Sequence, residues 1–294
     1  MTKSFIKNLK KLLENKRNIT ILPHKNPDGD AIGSCLALNH FLKKLGHNSN
    51  VISPNDYPDF LNWMPGIKNV LKFSSNKFFC EKLINESDIV FTLDFNSLKR
   101  VEILGDLIKK SKSTVVMIDH HENPEDFSKL TYSDPKIAST CEMTYNVLEK
   151  IKVDEIDWKI ASCLYTGIIT DTGSFKFPST SSRTHLIVSK LLEKGINHTE
   201  IHQNIYDNFK KSRISLLSVT LSNLKILNPI NTVYMTLTQK ELTDNNFQKG
   251  DTEGFVNYGL SIKGVLLSII LIENSKEKII KMSFRSKGDF DVNI

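Results

Sequence analysis

Apolar residues near the start of the chain recur at helical spacing. Phe5, Ile6, Leu9, Leu12 and Leu13 interleave with Lys3, Lys7, Lys10, Lys11, Lys16 and Arg17. The pattern predicts an amphipathic helix with a solvated basic face. A short apolar run over 18–23 reads as a strand and ends at His24. A polar, glycine-containing loop at 25–30 leads into a second helical pattern at 31–45, stopped by Gly46 as a helix C-cap. Residues 51–53 read as a short strand. Residues 88–94 (DIVFTLD) and 113–121 (STVVMIDHH) are continuous apolar runs ending in carboxylates or imidazoles. Such runs, alternating with helical segments, predict βαβ units and a parallel sheet covered on both faces.

Beyond this, 134–192 reads as mostly helical, interrupted by a Thr-, Ser- and Gly-rich loop at 170–182. Residues 198–227 read as polar helix. After Asn228-Pro229 the character changes: 232–238 and 265–273 look like strands, and a turn at 274–278 leads to a strand at 279–286. The expected class is α/β. A parallel-sheet domain over 1–190 is followed by a helical connector at 191–228 and a smaller α+β domain at 229–294.

Composition narrows this. A chain of 294 residues suggests two domains. With 39% hydrophobic and 24% charged residues, it is neither wholly disordered nor collagen-like. The longest apolar stretch, 265–272, is far short of the roughly 20 residues of a membrane helix. No membrane partner and no signal peptide are expected. Cys35, Cys80, Cys141 and Cys163 are widely spaced, with no CxxC pair. They read as thiols of a reducing cytoplasm rather than a zinc site. A net charge of +6 leans only weakly toward anionic substrates.

The chemistry lies at the ends of the apolar runs. His24 with Asp28 and Asp30, then Asp94, then Asp119-His120-His121 all sit where open α/β sheets bind ligands. Asp171, in the segment TDTGS, completes the cluster. Each piece alone has a plain explanation: Asp30 before Ala31 as an N-cap, PDGD as a turn, His-His as a surface pair. The set is what carries chemistry. Asp28, Asp30, Asp94 and Asp171 bring about −4 if all are ionised, which two divalent cations would neutralise. Oxygen ligands with one or two imidazoles suit Mn²⁺, Mg²⁺ or Fe²⁺. Two such ions about 3.5–4 Å apart can bridge a hydroxide and clamp an in-line phosphoryl displacement.

His24-Lys-Asn-Pro-Asp28-Gly-Asp30, then Asp94, then Asp119-His120-His121, then Asp171-Thr-Gly resemble the four motifs of the DHH phosphoesterase family. Within it the chain is most similar to the nanoRNase / pAp phosphatase branch. The resemblance continues through Gly250-Asp-Thr-Glu-Gly254 and Ser283-Phe-Arg285-Ser286 in the family's smaller domain. It implies that His24 and Asp28 bind one metal, that Asp30, His120 and Asp171 bind the other, and that Asp94 bridges both. It implies His121 near the substrate phosphate or leaving oxygen, Asp119 orienting an imidazole, and Arg285 and Ser286 gripping a substrate phosphate.

The implied function is a cytoplasmic, Mn²⁺-dependent phosphoesterase that hydrolyses short oligoribonucleotides, 3′-phosphoadenosine 5′-phosphate, or both, through a two-metal-bridged hydroxide. Alternatives are a phosphodiesterase for cyclic or linear dinucleotides and a catalytically weak nucleotide-binding regulator. A homodimer is left open. The family's second domain normally continues to a Gly-Gly-Gly-His segment. No run of three glycines precedes Ile294, so the substrate-binding domain is read as incomplete.

Overall fold

The structure, a computed structural model, describes residues 1–248, 250–288, 290 and 292. The chain end, where a glycine-rich segment is expected to be missing, lies largely outside these residues. Two compact units are present, Met1–Ile205 and Tyr206–Ile294.

The first unit runs α1 (Lys3–Leu12), β1 (Asn18–Leu22), α2 (Gly29–Lys44), β2 (Asn48–Ser53), β3 (Leu71–Lys72), α3 (Lys77–Asn85), β4 (Ile89–Leu93), α4 (Ile103–Lys110), β5 (Thr114–Asp119), β6 (Leu130–Ser133), α5 (Thr140–Lys152), α6 (Trp158–Asp171) and α7 (Ser182–Leu192). Helix α8 (His198–Tyr206) follows, all but its last residue in this unit. The six strands form one parallel sheet in the order β3-β2-β1-β4-β5-β6. Chain order reverses between β1 and β4. In sheets of this kind the connecting segments diverge above the carboxyl ends of such a strand pair, which is where ligands bind.

Burial explains why the strands read as continuous apolar runs. Every residue of β4 is buried, and β5 is buried from Val115 to Asp119. On one side, α3 and α4 cover the sheet through Cys80, Ile84, Leu104 and Ile108. Helix α2 is buried on nearly every side and packs closely on α6. That approach needs glycine: a Cβ on Gly167 would come within 2.2 Å of Cys141 Sγ and 2.6 Å of Asp30 Oδ1. Helix α1 buries Phe5 and Leu9 and leaves its lysines exposed, as its periodicity predicts.

The second unit contains α9 (Lys211–Ser222), β7 (Lys225–Leu227), β8 (Thr232–Leu237), α10 (Gln239–Asp244), α11 (Val256–Gly259), β9 (Leu267–Asn274) and β10 (Ile279–Ser286). Its mixed sheet has the order β10-β9-β8-β7, with β10 at an edge. The core joins Leu216 of α9 to Met235, Leu237, Leu242, Phe255, Val256 and Ile270.

Several sequence expectations need correction. Residues 191–228 carry α8 and α9 rather than one continuous helix. They divide between the two units, Leu216 is a core residue of the second, and 225–227 pair as a strand. Just before 134–192, a short strand that the periodicity does not announce, β6, forms at 130–133 by pairing with β5. Helix α6 continues through Asp171, so that residue ends a helix rather than opening a loop. The helix persists because Ile168 and Ile169 are buried and Thr172 N–H closes on Ile168 O at 3.0 Å.

Candidate metal centre

Each site residue is delivered by an element boundary at the carboxyl edge of the first sheet. His24 follows β1. Asp28, rather than Asp30, is the N-cap of α2: its Oδ1 accepts from the N–H groups of Asp30 and Ala31, both at 3.0 Å. Asp30 therefore sits inside the first helical turn, with no exposed surface. Asp94 follows β4 with φ of 65°, a left-handed conformation that aspartate tolerates better than most residues. Such a conformation costs on the order of 1–3 kcal/mol and tends to persist at functional sites. Asp119 ends β5, with His120 and His121 next. Asp171 closes α6, at the negative end of its helix dipole, where a cation is favoured and a carboxylate is not.

These residues form three linked sets of donors, each with ligand atoms within 4.8 Å of one another: His24, Asp28 and Asp94; Asp94, His120 and His121; Asp30, His120 and Asp171. Asp94 divides its oxygens. Oδ2 lies 3.4 Å from His24 Nε2, while Oδ1 lies 3.4 Å from His120 Nε2 and 3.8 Å from His121 Nδ1. His120 Nε2 is also 3.1 Å from Asp171 Oδ2.

The backbone orients two of the rings. His24 Nδ1 donates to Lys25 O at 2.8 Å and His120 Nδ1 to Ile137 O at 3.3 Å. A carbonyl accepts only from a protonated nitrogen, so in both rings Nδ1 carries hydrogen and Nε2 is turned toward the carboxylates. Nε2 must then hold a proton or face a cation. His121 is held differently. Its Nδ1 meets Asp119 Oδ1 at 2.7 Å, and its N–H donates to Asp119 Oδ2 at 3.1 Å.

Electrostatics point the same way. Burial, reinforced by Asp171 and Asp94, pushes the Asp30 carboxyl well above its usual range. Burial and the Asp94 charge also raise Asp28. Asp171 is pushed up to about 6 by burial and by Asp94 and Asp28, against the hydrogen bond from His120. Asp94 is held low: hydrogen bonds and charge from His120 and His24 outweigh its burial. Burial lowers His120, but hydrogen bonds to Asp171 and Asp94 win and carry it up to about 12. His24 likewise moves up against its burial, through Asp94 and Asp28. Protons here hold together carboxylates that repel one another, and divalent cations would do so better. The nearby thiols of Cys35 and Cys141 are kept protonated by burial and by Asp30 and Asp94. The donor set is oxygen-rich with imidazoles, which suits hard or borderline divalent ions.

Arg285 and Ser286 lie at the end of β10 in the second unit. Arg285 Nη1 donates to Phe284 O at 2.8 Å and Ser286 Oγ to Phe290 O at 2.5 Å. One residue of the centre escapes the motif reading altogether. Thr140 donates its hydroxyl to Asp94 Oδ1 at 2.9 Å and its N–H to Asp30 Oδ2 at 2.6 Å. The signal available in the sequence was Ser139, a helix N-cap candidate just before it.

A doubly wound parallel sheet with acids and imidazoles clustered at its switch point defines a class of metal-site α/β proteins. The family model described as DHH family, N-terminal domain, matches residues 18–168, and the chain belongs to the DHH family. It is 30% identical to an uncharacterized protein of Mycoplasma genitalium over 69% of this chain and 59% of that protein. The chain thus spans well under two thirds of the length of that relative. It is 29% identical to the bifunctional oligoribonuclease and PAP phosphatase NrnA of Thermus thermophilus, over 92% of this chain and 76% of that one. The crystal structure of an exopolyphosphatase-related protein from Bacteroides fragilis superposes with a TM-score of 0.96 at 41% identity, covering 100% of this chain and 87% of that one.

Proposed function

We propose that the chain is a divalent-metal phosphoesterase acting on short oligoribonucleotides and on 3′-phosphoadenosine 5′-phosphate. The observation that carries this reading is the run of three donor sets linked through Asp94 and His120. His24 and Asp28 are assigned to one ion, Asp30, His120 and Asp171 to the other, and Asp94 to both. Two bound divalent ions, with Mn²⁺ the ion the donor set favours, would supply Lewis-acid charge and an activated water for attack on phosphorus. The relative named as an oligoribonuclease and PAP phosphatase supports the choice of substrate.

The protein's own residues do the rest. Asp94 and Asp30 are buried and hydrogen-bonded in place, so the site needs little reorganisation when charge develops. Asp119 fixes the ring of His121. His121, with about a third of its side chain exposed, can meet a substrate and give a proton to the leaving oxygen through Nε2. Arg285 is assigned to a non-reacting phosphate, where a planar guanidinium offers paired donors.

The test is phosphate and mononucleotide release from a panel: pAp, RNA of two to five nucleotides, longer RNA, cyclic dinucleotides and polyphosphate, each with Mn²⁺ and with chelator. The reading expects Mn²⁺-dependent turnover, fastest on pAp or the shortest RNA. Preference for polyphosphate or a cyclic dinucleotide would overturn the substrate assignment. Turnover undiminished by chelator would overturn the metal assignment.

A further inference from the structure

Helix α5 begins against two carboxylates of the centre. Its first two amides, Thr140 N–H and Cys141 N–H, donate to the two oxygens of Asp30 at 2.6 Å and 2.8 Å. Ser139 caps the helix separately, its hydroxyl accepting from Glu142 N–H at 3.1 Å. Thr140 also sends its hydroxyl to Asp94 Oδ1 at 2.9 Å, and has no exposed surface itself. One residue thus holds two carboxylates that belong to different donor sets.

We propose that Thr140 is a positioning residue that sets the rotation of the Asp94 carboxylate. Asp94 must keep Oδ2 toward His24 and Oδ1 toward His120. A carboxylate turns about its last bond with little preference. Its backbone also sits in a left-handed conformation, so the main chain does not favour this placement. The Thr140 hydroxyl is a buried donor outside the imidazole set, and it points at one oxygen. It stops the carboxylate from turning so that neither set has a well-placed oxygen. The N–H groups of the same helical turn hold Asp30, so Asp94 and Asp30 are tied to one helix end. Hydrogen-bond partners of ligating carboxylates commonly tune affinity in this way.

This inference rests on the metal-centre reading, and the test separates the two. Mn²⁺ is titrated into the full chain by calorimetry, with no substrate present. Thr140→Val removes the hydroxyl while keeping the size and the N–H. Thr140→Ser keeps the hydroxyl. Thr140→Ala serves as a second hydroxyl-free variant should Thr140→Val fail to fold, with melting of the metal-free proteins as the check. Thr140→Val or Thr140→Ala is expected to bind Mn²⁺ about 10- to 100-fold more weakly, and Thr140→Ser to stay close to wild type. Wild-type affinity in a folded hydroxyl-free variant would overturn the proposal. So would Thr140→Ser binding as weakly as Thr140→Val, since packing rather than the hydroxyl would then be responsible. A wild-type protein that does not bind Mn²⁺ would overturn the metal-centre reading itself, and this inference with it.

Discussion

Asp119 grips His121 twice, through the ring Nδ1 at 2.7 Å and the main-chain N–H at 3.1 Å, and is itself completely buried. The neighbouring ring of His120 is held by a carbonyl instead and turns Nε2 to Asp94 and Asp171. Adjacent histidines with different anchors should fail differently. His120→Ala is expected to weaken Mn²⁺ binding. His121→Ala should keep the metal and lose turnover. Asp119→Asn should resemble a mild His121→Ala, with kcat down about 10- to 100-fold. Calorimetry and kinetics on the three variants check this; equal metal loss in His120→Ala and His121→Ala would refute the division.

Asp94 belongs to two of the three donor sets. Asp94→Asn is therefore expected to lower metal content and activity together, with activity falling on the order of 10³-fold. Metal analysis beside a turnover assay decides it. Activity within a few-fold of wild type, with metal retained, would rule out a shared carboxylate.

The metal-free protein should lose stability as pH rises. Asp171, raised from 3.8 to about 6, binds its proton more tightly folded than unfolded. Its contribution is complete below pH 3.8 and is lost as pH climbs through about 6, on the order of 2–3 kcal/mol. His120, raised from 6.5 to about 12, has the same sign and continues the loss above pH 6.5. Asp94, held low, acts oppositely but only below pH 3.8. In chelator, melting temperature should decline from pH 5 to pH 8. Saturating Mn²⁺ should remove most of that decline and release protons on binding, measurable by calorimetry in buffers of different ionisation enthalpy. A melting temperature that rises with pH in chelator, or binding without proton release at pH 7, would contradict the cluster.

Arg285 is exposed and donates to a carbonyl of its own strand. If it grips a substrate phosphate, Arg285→Ala should raise KM about 10- to 100-fold, the equivalent of roughly 1.5–3 kcal/mol, and leave kcat near wild type. Michaelis kinetics on pAp and dinucleotide RNA test this. An unchanged KM would return Arg285 to the solvated edge of a sheet.

What was legible in the sequence is local chemistry and periodicity. The apolar runs that became β1, β4 and β5 could be read because strands buried on both faces leave no room for polar alternation. Their terminal acids and imidazoles could be read because chemistry in such sheets gathers at the carboxyl ends. β10 was legible to its last residue, bounded by a turn on one side. What the tertiary structure decided depends on neighbours far along the chain. β6 forms by pairing with the edge of β5, and α9 buries Leu216 against β8 and β9. Asp28 took the cap, and Asp30 lies buried against Gly167 of α6. Thr140 had no motif to announce it. Its part follows from α5 aiming its first turn at residues 110 and 46 positions earlier, and no local pattern encodes a hydrogen bond across that separation.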